Sequence, residues 1–560
     1  MRLPPVAREC SAAAGSMILV ALFAASAVLN YAFGVALAWL LVPSEFGIVS
    51  AVQNVLLLAT GLLFAGLPWA LARRLAETHG DPEAAKPEFR TALIANLGLG
   101  LLLSVAFVAA QLSGLQLVPT HSLLLDFTVA VEMPVQAVNG TLVGAASGSR
   151  RFFGVGAMQG GEILFKCIAA VFLVMVLHTG PVGIALSFVI GTLGSVLIGL
   201  RTVKGLLPSW GSLARLSFLA ASGSFWFASA SMAFLITADL LGFEVIGKAP
   251  GVTAAVLAGY QACGMLARAS YYASAAFADA VFPFIAHGKT LREKHRWFMM
   301  AARWVPLLII PIQVGLVLAP GPVLRLFLPD HYSGAHTLLR VLAAGTLGAL
   351  MTNMLMVSLL AAGYGRQIAR RMSISVIVEV TGLVTLVPGH GALGAAYSYL
   401  IASYVGAALL ALLYLKALQV RMLGPRRLAA YAAGLAPTAV VFALAGLSST
   451  PLAWALIVTG LCLFLLPARR MRLITDADLR VLQSLRSRLK ARVAGVAVAL
   501  SPAEDLGRAT ALAAFRADRA VGRVVAGHEE RAPEPVMPAA GAHARIDTPA
   551  RPIGDADAGR

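Results

Sequence analysis

The segment that decides the fold is Gly180-Pro-Val-Gly-Ile-Ala-Leu-Ser-Phe-Val-Ile190, because it recurs as Gly391-Ala-Leu-Gly-Ala-Ala-Tyr-Ser-Tyr-Leu-Ile401 at an offset of 211 residues. A second match has nearly the same offset, 216 residues, and pairs Ala145-Ala146 and Arg150 with Ala361-Ala362 and Arg366. Two matches in the same order with similar offsets predict an internal repeat that covers most of the chain.

The composition of the chain indicates whether it folds in water or in a membrane. Hydrophobic residues make up 59% of the 560 positions and charged residues only 12%, whereas a water-soluble protein carries about a quarter charged residues. A globule in water could not hide this much apolar surface. The sequence therefore excludes a cytoplasmic enzyme, a nucleic-acid binder and a disordered scaffold, and predicts an all-α polytopic membrane protein.

Apolar stretches of the length that crosses a membrane recur along the chain. A hydrocarbon core about 30 Å thick needs about 20 apolar residues per helix, and we identify fourteen candidate spans: 17–41, 46–71, 91–112, 122–146, 155–178, 181–200, 213–241, 251–277, 304–327, 337–361, 372–388, 392–415, 428–447 and 452–466. The repeated segments lie six helices apart. Because six is even, the two copies point the same way through the membrane, as in a parallel repeat of two six-helix lobes.

These spans predict the domain organisation. We expect a cytoplasmic N-terminus, a first lobe, a second lobe, two extra helices and a basic cytoplasmic tail, at residues 1–16, 17–200, 201–427, 428–466 and 467–560 respectively. Within the tail, residues 475–499 have the spacing of an amphipathic helix. Such a helix would lie on the anionic cytoplasmic leaflet or pack against the protein's own loops, and the end of the tail is predicted to be disordered.

Lysine and arginine in the short loops set the orientation. With the N-terminus in the cytoplasm, nearly all loop cations lie inside, and the outer loops hold little beyond Lys248 and Arg325. The net charge of +18 is therefore mostly an orientation signal. Heavy use of arginine, alanine and glycine is typical of a bacterium with a G+C-rich genome, so we expect a multi-pass bacterial plasma-membrane protein with both termini cytoplasmic.

Ionisable residues inside spans are candidate functional groups, because a charge at membrane depth usually faces a cavity or a partner. Five are predicted to lie deep: Glu132, Glu162, Lys166, Arg268 and Glu379. Four are predicted near span ends, where they reach water: Asp126, Asp239, Asp279 and Arg340. Glu162 and Lys166, at i and i+4, would neutralise each other. Arg268 is either an anion ligand in the cavity or a salt-bridge partner of Glu132, Glu162 or Glu379.

The motifs give no support for a cofactor or a metal. The four cysteines stand singly, at positions 10, 167, 263 and 462, so no disulfide framework or metal site is predicted. The segment from Gly242 to Ala249 resembles a phosphate-binding loop but has alanine where a serine or threonine must hold magnesium. We therefore predict no ATP site and no cofactor.

Several local phrases, taken in order, resemble one known family. They are Pro43-Ser-Glu-Phe-Gly47, Ala72–Glu77, Asp239 followed by Gly259–Ala262 and Phe282-Pro283, and Pro320–Leu328 followed by His331-Tyr332 and Leu338–Leu342. Together they resemble the polysaccharide exporter (oligosaccharidyl-lipid flippase) branch of the multidrug/oligosaccharidyl-lipid/polysaccharide (MOP) flippase superfamily. The resemblance covers about residues 15–420. The chain departs from the family in its long basic tail and in the lack of a cation inside the first span.

This resemblance implies that the chain flips a polyprenyl-diphosphate-linked oligosaccharide from the inner to the outer leaflet, without being an enzyme. Arg268 and Lys166 would bind the diphosphate, and Glu132, Glu162, Glu379 and Asp239 would balance these cations or bind a proton or sodium ion. Polysaccharide assembly proteins are expected partners, and nucleic acid is not. The alternatives are a cation-coupled multidrug exporter, a membrane glycosyltransferase or ligase, and a non-transport scaffold.

Overall fold

A computed structural model describes most of the hydrophobic part of the chain. The described residues are 26, 28–64, 66–77, 82–120, 122–149, 151–204, 217–246, 254–287, 290, 293–295, 298–299, 304–418, 425–448 and 450–470, all within one compact unit, Met1–Thr475. They form helices, and no strand occurs among them. The predicted amphipathic helix at 475–499 and the rest of the tail lie outside the described residues.

Seven helices make up the first half of the described chain. They are α1 (Val28–Leu40), α2 (Pro43–Phe64), α3 (Leu67–Glu77), α4 (Pro82–Leu112), α5 (Leu123–Gly148), α6 (Phe152–Val171, continued by a π-helical turn, Phe172–Val176) and α7 (Gly180–Thr202). Their packing follows the sequence order in part: α4 lies against α5, α6 lies against α7, and α5 also contacts α7, α3 and α2.

Nine further helices follow in the second half. They are α8 (Ser217–Leu235), α9 (Ala238–Ile246), α10 (Ala254–His287), α11 (Trp304–Leu318), α12 (Pro320–Phe327), α13 (His336–Ala361), α14 (Gly365–Leu418), α15 (Pro425–Leu447) and α16 (Thr450–Arg470), with a 3₁₀ turn at Asp330–Ala335. Helix α13 packs on α10, α11 and α14, and α14 also covers α8 and α9. Helices α15 and α16 pack on each other and on α11.

The lengths of these helices match a multi-pass membrane protein. Among the described residues, six helical segments are long and apolar enough to cross a bilayer, and up to eight are if each sharply bent pair counts as one span. Helix α14 has 54 residues, or about 80 Å at 1.5 Å per residue, more than twice the hydrocarbon thickness. It breaks at Gly391, where φ is +55°, between the predicted spans 372–388 and 392–415. The predicted total of fourteen spans and the domain boundaries stay predictions.

Two stretches that the sequence predicts as single spans are each divided by a bend. The predicted span 213–241 is divided into α8 and α9, which meet at 59°. The predicted span 304–327 is divided into α11 and α12, which meet at 99°. Pro320 begins α12, and proline lacks the N–H that would continue the preceding helix. The first bend has a direct consequence for the site, because it fixes the direction of Asp239.

The two halves meet along a seam between α2 and the helices α8 and α10. A Cβ added to Gly61 would lie 2.1 Å from Ala233 Cβ, so only glycine allows the approach of α2 to α8. Midway along α2, Asn54 Nδ2 donates a 3.0 Å hydrogen bond to Gln261 Oε1 of α10, with both side chains buried. A mutual motion of the halves must open this seam.

Candidate transport site: two buried polar clusters

The first cluster lies among α5, α6 and α7 and is centred on Glu132, which is fully buried. Its Oε1 accepts hydrogen bonds from Thr192 Oγ1 at 2.5 Å and from Gln136 Nε2 at 3.0 Å. The same Gln136 Nε2 lies 3.3 Å from Glu162 Oε1, and Asn139 Nδ2 donates to Glu162 Oε2 at 2.9 Å. The structure therefore brings two of the predicted carboxylates together through one shared amide group.

Lys166 belongs to this cluster but does not form the predicted ion pair with Glu162 one turn away. Its Nζ instead donates to Asn30 Oδ1 of α1 at 2.5 Å and lies 5.0 Å from the ring centres of Phe33 and Phe188. The backbone of α7 packs closely against this part of α6, since a Cβ added to Gly191 would lie 2.9 Å from Lys166 Cβ. The ammonium group still acts electrostatically on Glu162, but its direct partner is an asparagine that the sequence analysis missed.

The second cluster lies between α9 and α10, and its centre is a salt bridge between Asp239 and Arg268. Tyr260 donates its hydroxyl to Asp239 Oδ2 at 2.7 Å. The Arg268 guanidinium also lies over the Tyr399 ring, 5.0 Å from its centre. Asp239 is in the first turn of α9, where the helix dipole favours a negative charge.

The position of Asp239 corrects two sequence predictions. Asp239 was predicted near the outer end of a span and in reach of water, but it is fully buried, because the bend between α8 and α9 turns its side chain inwards. Arg268 does form a salt bridge, but its partner is Asp239 rather than Glu132, Glu162 or Glu379.

Glu379 on α14 is the remaining deep carboxylate, and it is fully buried. Neither of its oxygens has a hydrogen-bond partner, and the Asp239 Oδ1 and Arg268 Nε atoms also lack one among the described residues. Asp239 and Arg268 act on Glu379 electrostatically. The second cluster therefore holds two carboxyl groups and one guanidinium group.

The residues predicted near span ends differ in environment from both clusters. Asp126 is half-buried and accepts a 2.9 Å hydrogen bond from Gln111, and Arg340 is exposed and donates to the Val317 carbonyl at 2.9 Å. The side chain of Asp279 lies outside those that the structure describes. Within the described part of the chain, no group of three or more His, Cys, Asp or Glu residues is placed to hold a metal ion.

Solved structures similar to this one are membrane transporters. An inward-facing multidrug resistance MATE family transporter of the MOP superfamily matches with a TM-score of 0.55 at 14% identity, over 70% of this chain and 94% of that one. The lipid II flippase MurJ in an inward closed conformation matches with a TM-score of 0.61 at 13% identity, over 81% of this chain and 98% of that one. An outward-facing MATE transporter gives 0.51 at 16% identity, over 73% and 95%.

At the level of sequence, no family model and no curated protein matches the chain. The identities to the solved structures are low, so they establish the fold and no more. The chain is a multi-pass membrane protein with the fold shared by the MATE transporters and the MurJ flippase of the MOP superfamily.

Proposed function

We propose that the chain is a flippase of the oligosaccharidyl-lipid branch, which moves a polyprenyl-diphosphate-linked oligosaccharide from the inner to the outer leaflet by alternating access. The observation that carries this proposal is the extent of the structural likeness. MurJ matches 81% of the chain, against 70% and 73% for the two MATE transporters. The additional share is comparable in length with the C-terminal helices α15 and α16 (Pro425–Leu447 and Thr450–Arg470), and this supports the proposal of a fold with two helices beyond the repeat.

The physics of the substrate favours this mechanism. The sugar hydroxyls cannot lose their water in hydrocarbon without a large free-energy cost, so they need a polar path between the two halves. The diphosphate carries about two negative charges, and a membrane potential that is negative inside favours their outward movement by about 2.3 kcal/mol per charge per 100 mV. A cavity that opens along the seam of α2 with α8 and α10 would supply that path, without nucleotide hydrolysis.

The sequence predicts that Arg268 and Lys166 bind the headgroup, and we keep this as a proposal for the open conformation. In the conformation described here, Arg268 forms a salt bridge with Asp239, and Lys166 donates a hydrogen bond to Asn30. Binding of the diphosphate at Arg268 would therefore require exchange with Asp239. We further propose that the protein works in a bacterial plasma membrane with both termini cytoplasmic, alongside polysaccharide assembly proteins.

The test compares Arg268→Ala with the double variant Arg268→Ala/Asp239→Asn in liposomes that contain a fluorescent polyprenyl-diphosphate oligosaccharide. The single variant leaves a buried carboxylate without its cation, whereas the double variant does not. Arg370, which is exposed at the start of α14, supplies the control variant Arg370→Ala. If Arg268 binds the headgroup, both Arg268 variants lose transport and the double variant still inserts and folds. Full transport by the double variant would contradict this assignment.

A second candidate function, cation-coupled multidrug export, is favoured by one observation. The two clusters contain four carboxyl groups, Glu132, Glu162, Asp239 and Glu379, but only two cationic side chains, and an acidic excess suits a cationic drug. The distinguishing measurement is ethidium efflux from the same liposomes under a proton or sodium gradient. Efflux without transfer of the lipid-linked sugar would favour this second function.

A further inference from the structure

The two clusters contain the same combination of charged groups and lie in separate halves of the fold. The first contains Glu132, Glu162 and Lys166, and the second contains Asp239, Glu379 and Arg268. Each therefore has two carboxyl groups and one cation that belongs to the chain itself. A buried charge is tolerated only where another charge or a set of hydrogen bonds compensates it, so the position of each cation matters.

Each cation is enclosed rather than offered to a cavity. The Lys166 ammonium group lies over the rings of Phe33 and Phe188 and donates to Asn30, and the residue is 7% exposed. The Arg268 guanidinium group lies on Tyr399 and pairs with Asp239, and the residue is 4% exposed. Aromatic faces and carboxylates are the groups that stabilise a desolvated cation. The chain thus supplies at each cluster the positive charge that a bound metal cation would otherwise bring.

One cation for two carboxyl groups leaves one carboxyl group uncompensated in each cluster. In the second cluster this group is Glu379, because both of its oxygens are buried without a partner. In the first cluster, Glu132 and Glu162 share the Gln136 amide, and Glu132 Oε2 is buried without a partner. A neutral, protonated carboxyl group satisfies both environments better than a second buried anion.

The groups around these carboxyls are few. Asp239 of α9, together with Arg268 and Tyr260 of α10, faces Glu379, and Tyr399 lies on the second arm of α14 beside Arg268. Helix α8 has no Asp, Glu, His, Lys or Arg, α13 has only His336 and Arg340 near its start, and the second acid of α9 is Glu244.

In the first cluster, Glu162 and Lys166 are the charged groups that act on Glu132, and Cys167 lies beside Lys166.

We propose that, in the absence of a bound headgroup, Lys166 and Arg268 are tethered counter-ions that take the place of a dissociable metal cation, and that the exchangeable cation of this transporter is a proton, one in each cluster. This inference deepens the proposed function, because it identifies the ion that a transporter with these clusters would exchange. It rests on that function, but the test below uses the protein without any lipid-linked substrate. Failure of the tethered-ion proposal and failure of the flippase proposal are therefore separate results.

The test measures the melting temperature of the purified full-length protein in sodium chloride and in choline chloride at equal ionic strength. The wild-type protein is expected to melt at the same temperature in both salts. Arg268→Met and Lys166→Met each remove a tethered cation and leave the carboxyl groups in place. We expect both variants to gain stabilisation by sodium, with a melting temperature that rises with sodium concentration as linkage requires. The controls are Arg370→Met and Lys416→Met, because both side chains are exposed on α14.

A third variant tests the proton directly. Glu379→Gln has the shape of the protonated side chain, so it is expected to fold and to keep its stability as the pH rises towards alkaline values. The wild-type protein is expected to melt earlier over the same range, because its unfolded chain releases the Glu379 proton. Combined with Arg268→Met, Glu379→Gln removes one sodium ligand and is expected to abolish the sodium response. Loss of the alkaline destabilisation in Glu379→Gln, with an unchanged response in the Arg370→Met control, supports the proposal.

The following results would contradict the tethered-cation proposal. Stabilisation of the wild-type protein by sodium, or binding of radioactive sodium to it, would overturn the proposal. So would folded Arg268→Met and Lys166→Met variants that show no sodium response. If either variant fails to fold, radioactive sodium binding to the wild-type protein and the pH profile of Glu379→Gln decide the matter, because neither measurement needs the missing variant.

Discussion

Gly47, near the start of α2, packs tightly against the start of α10, and we predict that Gly47→Ala shifts the protein away from the conformation described here. A Cβ at this position would lie 1.8 Å from the Ala254 carbonyl oxygen and 2.6 Å from its carbon. Both are backbone atoms at the first residue of α10, so no side-chain rotation relieves the contact. The end of α2 must move away from α10.

The size of the effect follows from this geometry. The 1.8 Å approach is about 1.6 Å shorter than the 3.4 Å at which ordinary contact begins, and an overpacked methyl group typically costs about 1–3 kcal/mol. Because α2 and α10 belong to halves that are proposed to separate during transport, separation relieves the strain. The same 1–3 kcal/mol corresponds to a change of about 5- to 150-fold in the population ratio of the two conformations. In the predicted orientation the shift favours opening towards the outside.

The assay is a distance measurement between spin labels on the two halves. Val42 and Leu326 are both exposed and take the labels, in a background in which the four native cysteines are replaced. Gly98→Ala is the matched control, because no atom lies within 4 Å of a Cβ at that glycine. Gly47→Ala is expected to lengthen the distance and Gly98→Ala to leave it unchanged. An unchanged distance with a lowered melting temperature would refute the reasoning, since the strain would then be absorbed within the closed seam.

Three further predictions concern packing, a buried amide and pH. Gly144→Ala, where the Cβ would lie 2.5 Å from the Pro68 carbonyl oxygen, is expected to lower the free energy of unfolding by about 1–3 kcal/mol, measured by thermal denaturation in detergent. Asn96→Leu removes a side chain whose Nδ2 donates to two backbone carbonyls, at 2.8 and 3.0 Å, and is expected to cost about as much. His295 lies 2.8 Å from the Tyr414 hydroxyl, and burial lowers the pKa of its ring. The folded protein therefore favours the neutral ring. Its stability is expected to fall as the pH falls through the usual histidine range, because the unfolded chain then binds the proton more readily. Faster hydrogen exchange around this contact in acid, absent in His295→Gln, is the expected sign.

The sequence predicted the fold well where one local feature decides the structure. The apolar stretches predicted a boundary between spans 372–388 and 392–415, and Gly391 has the positive φ that breaks α14 there. Glycines recur at every fourth position at 140, 144 and 148, a pattern typical of a close-packed helix face, and a Cβ at each would lie within 3.1 Å of the backbone of α2 or α3. Only glycine suits such positions, so their identity carries structural information.

The site was less predictable, because its geometry depends on contacts between distant helices. The apolar pattern of residues 213–241 does not distinguish a straight span from α8 and α9 with their bend, and that bend decides that Asp239 is buried beside Arg268. Lys166 had a local partner at i−4 and a distant one, Asn30, and packing selected the distant one. An asparagine in an apolar span is a weak signal that the sequence analysis left unused.

The decisive experiment measures the transfer of a fluorescent polyprenyl-diphosphate oligosaccharide between the leaflets of liposomes that contain the purified protein. We predict transfer that requires the protein, that is faster with the potential oriented to draw anions across, and that Arg268→Ala/Asp239→Asn abolishes. No transfer by the wild-type protein under any potential, together with ethidium efflux driven by a proton gradient, would contradict the account and identify a multidrug exporter.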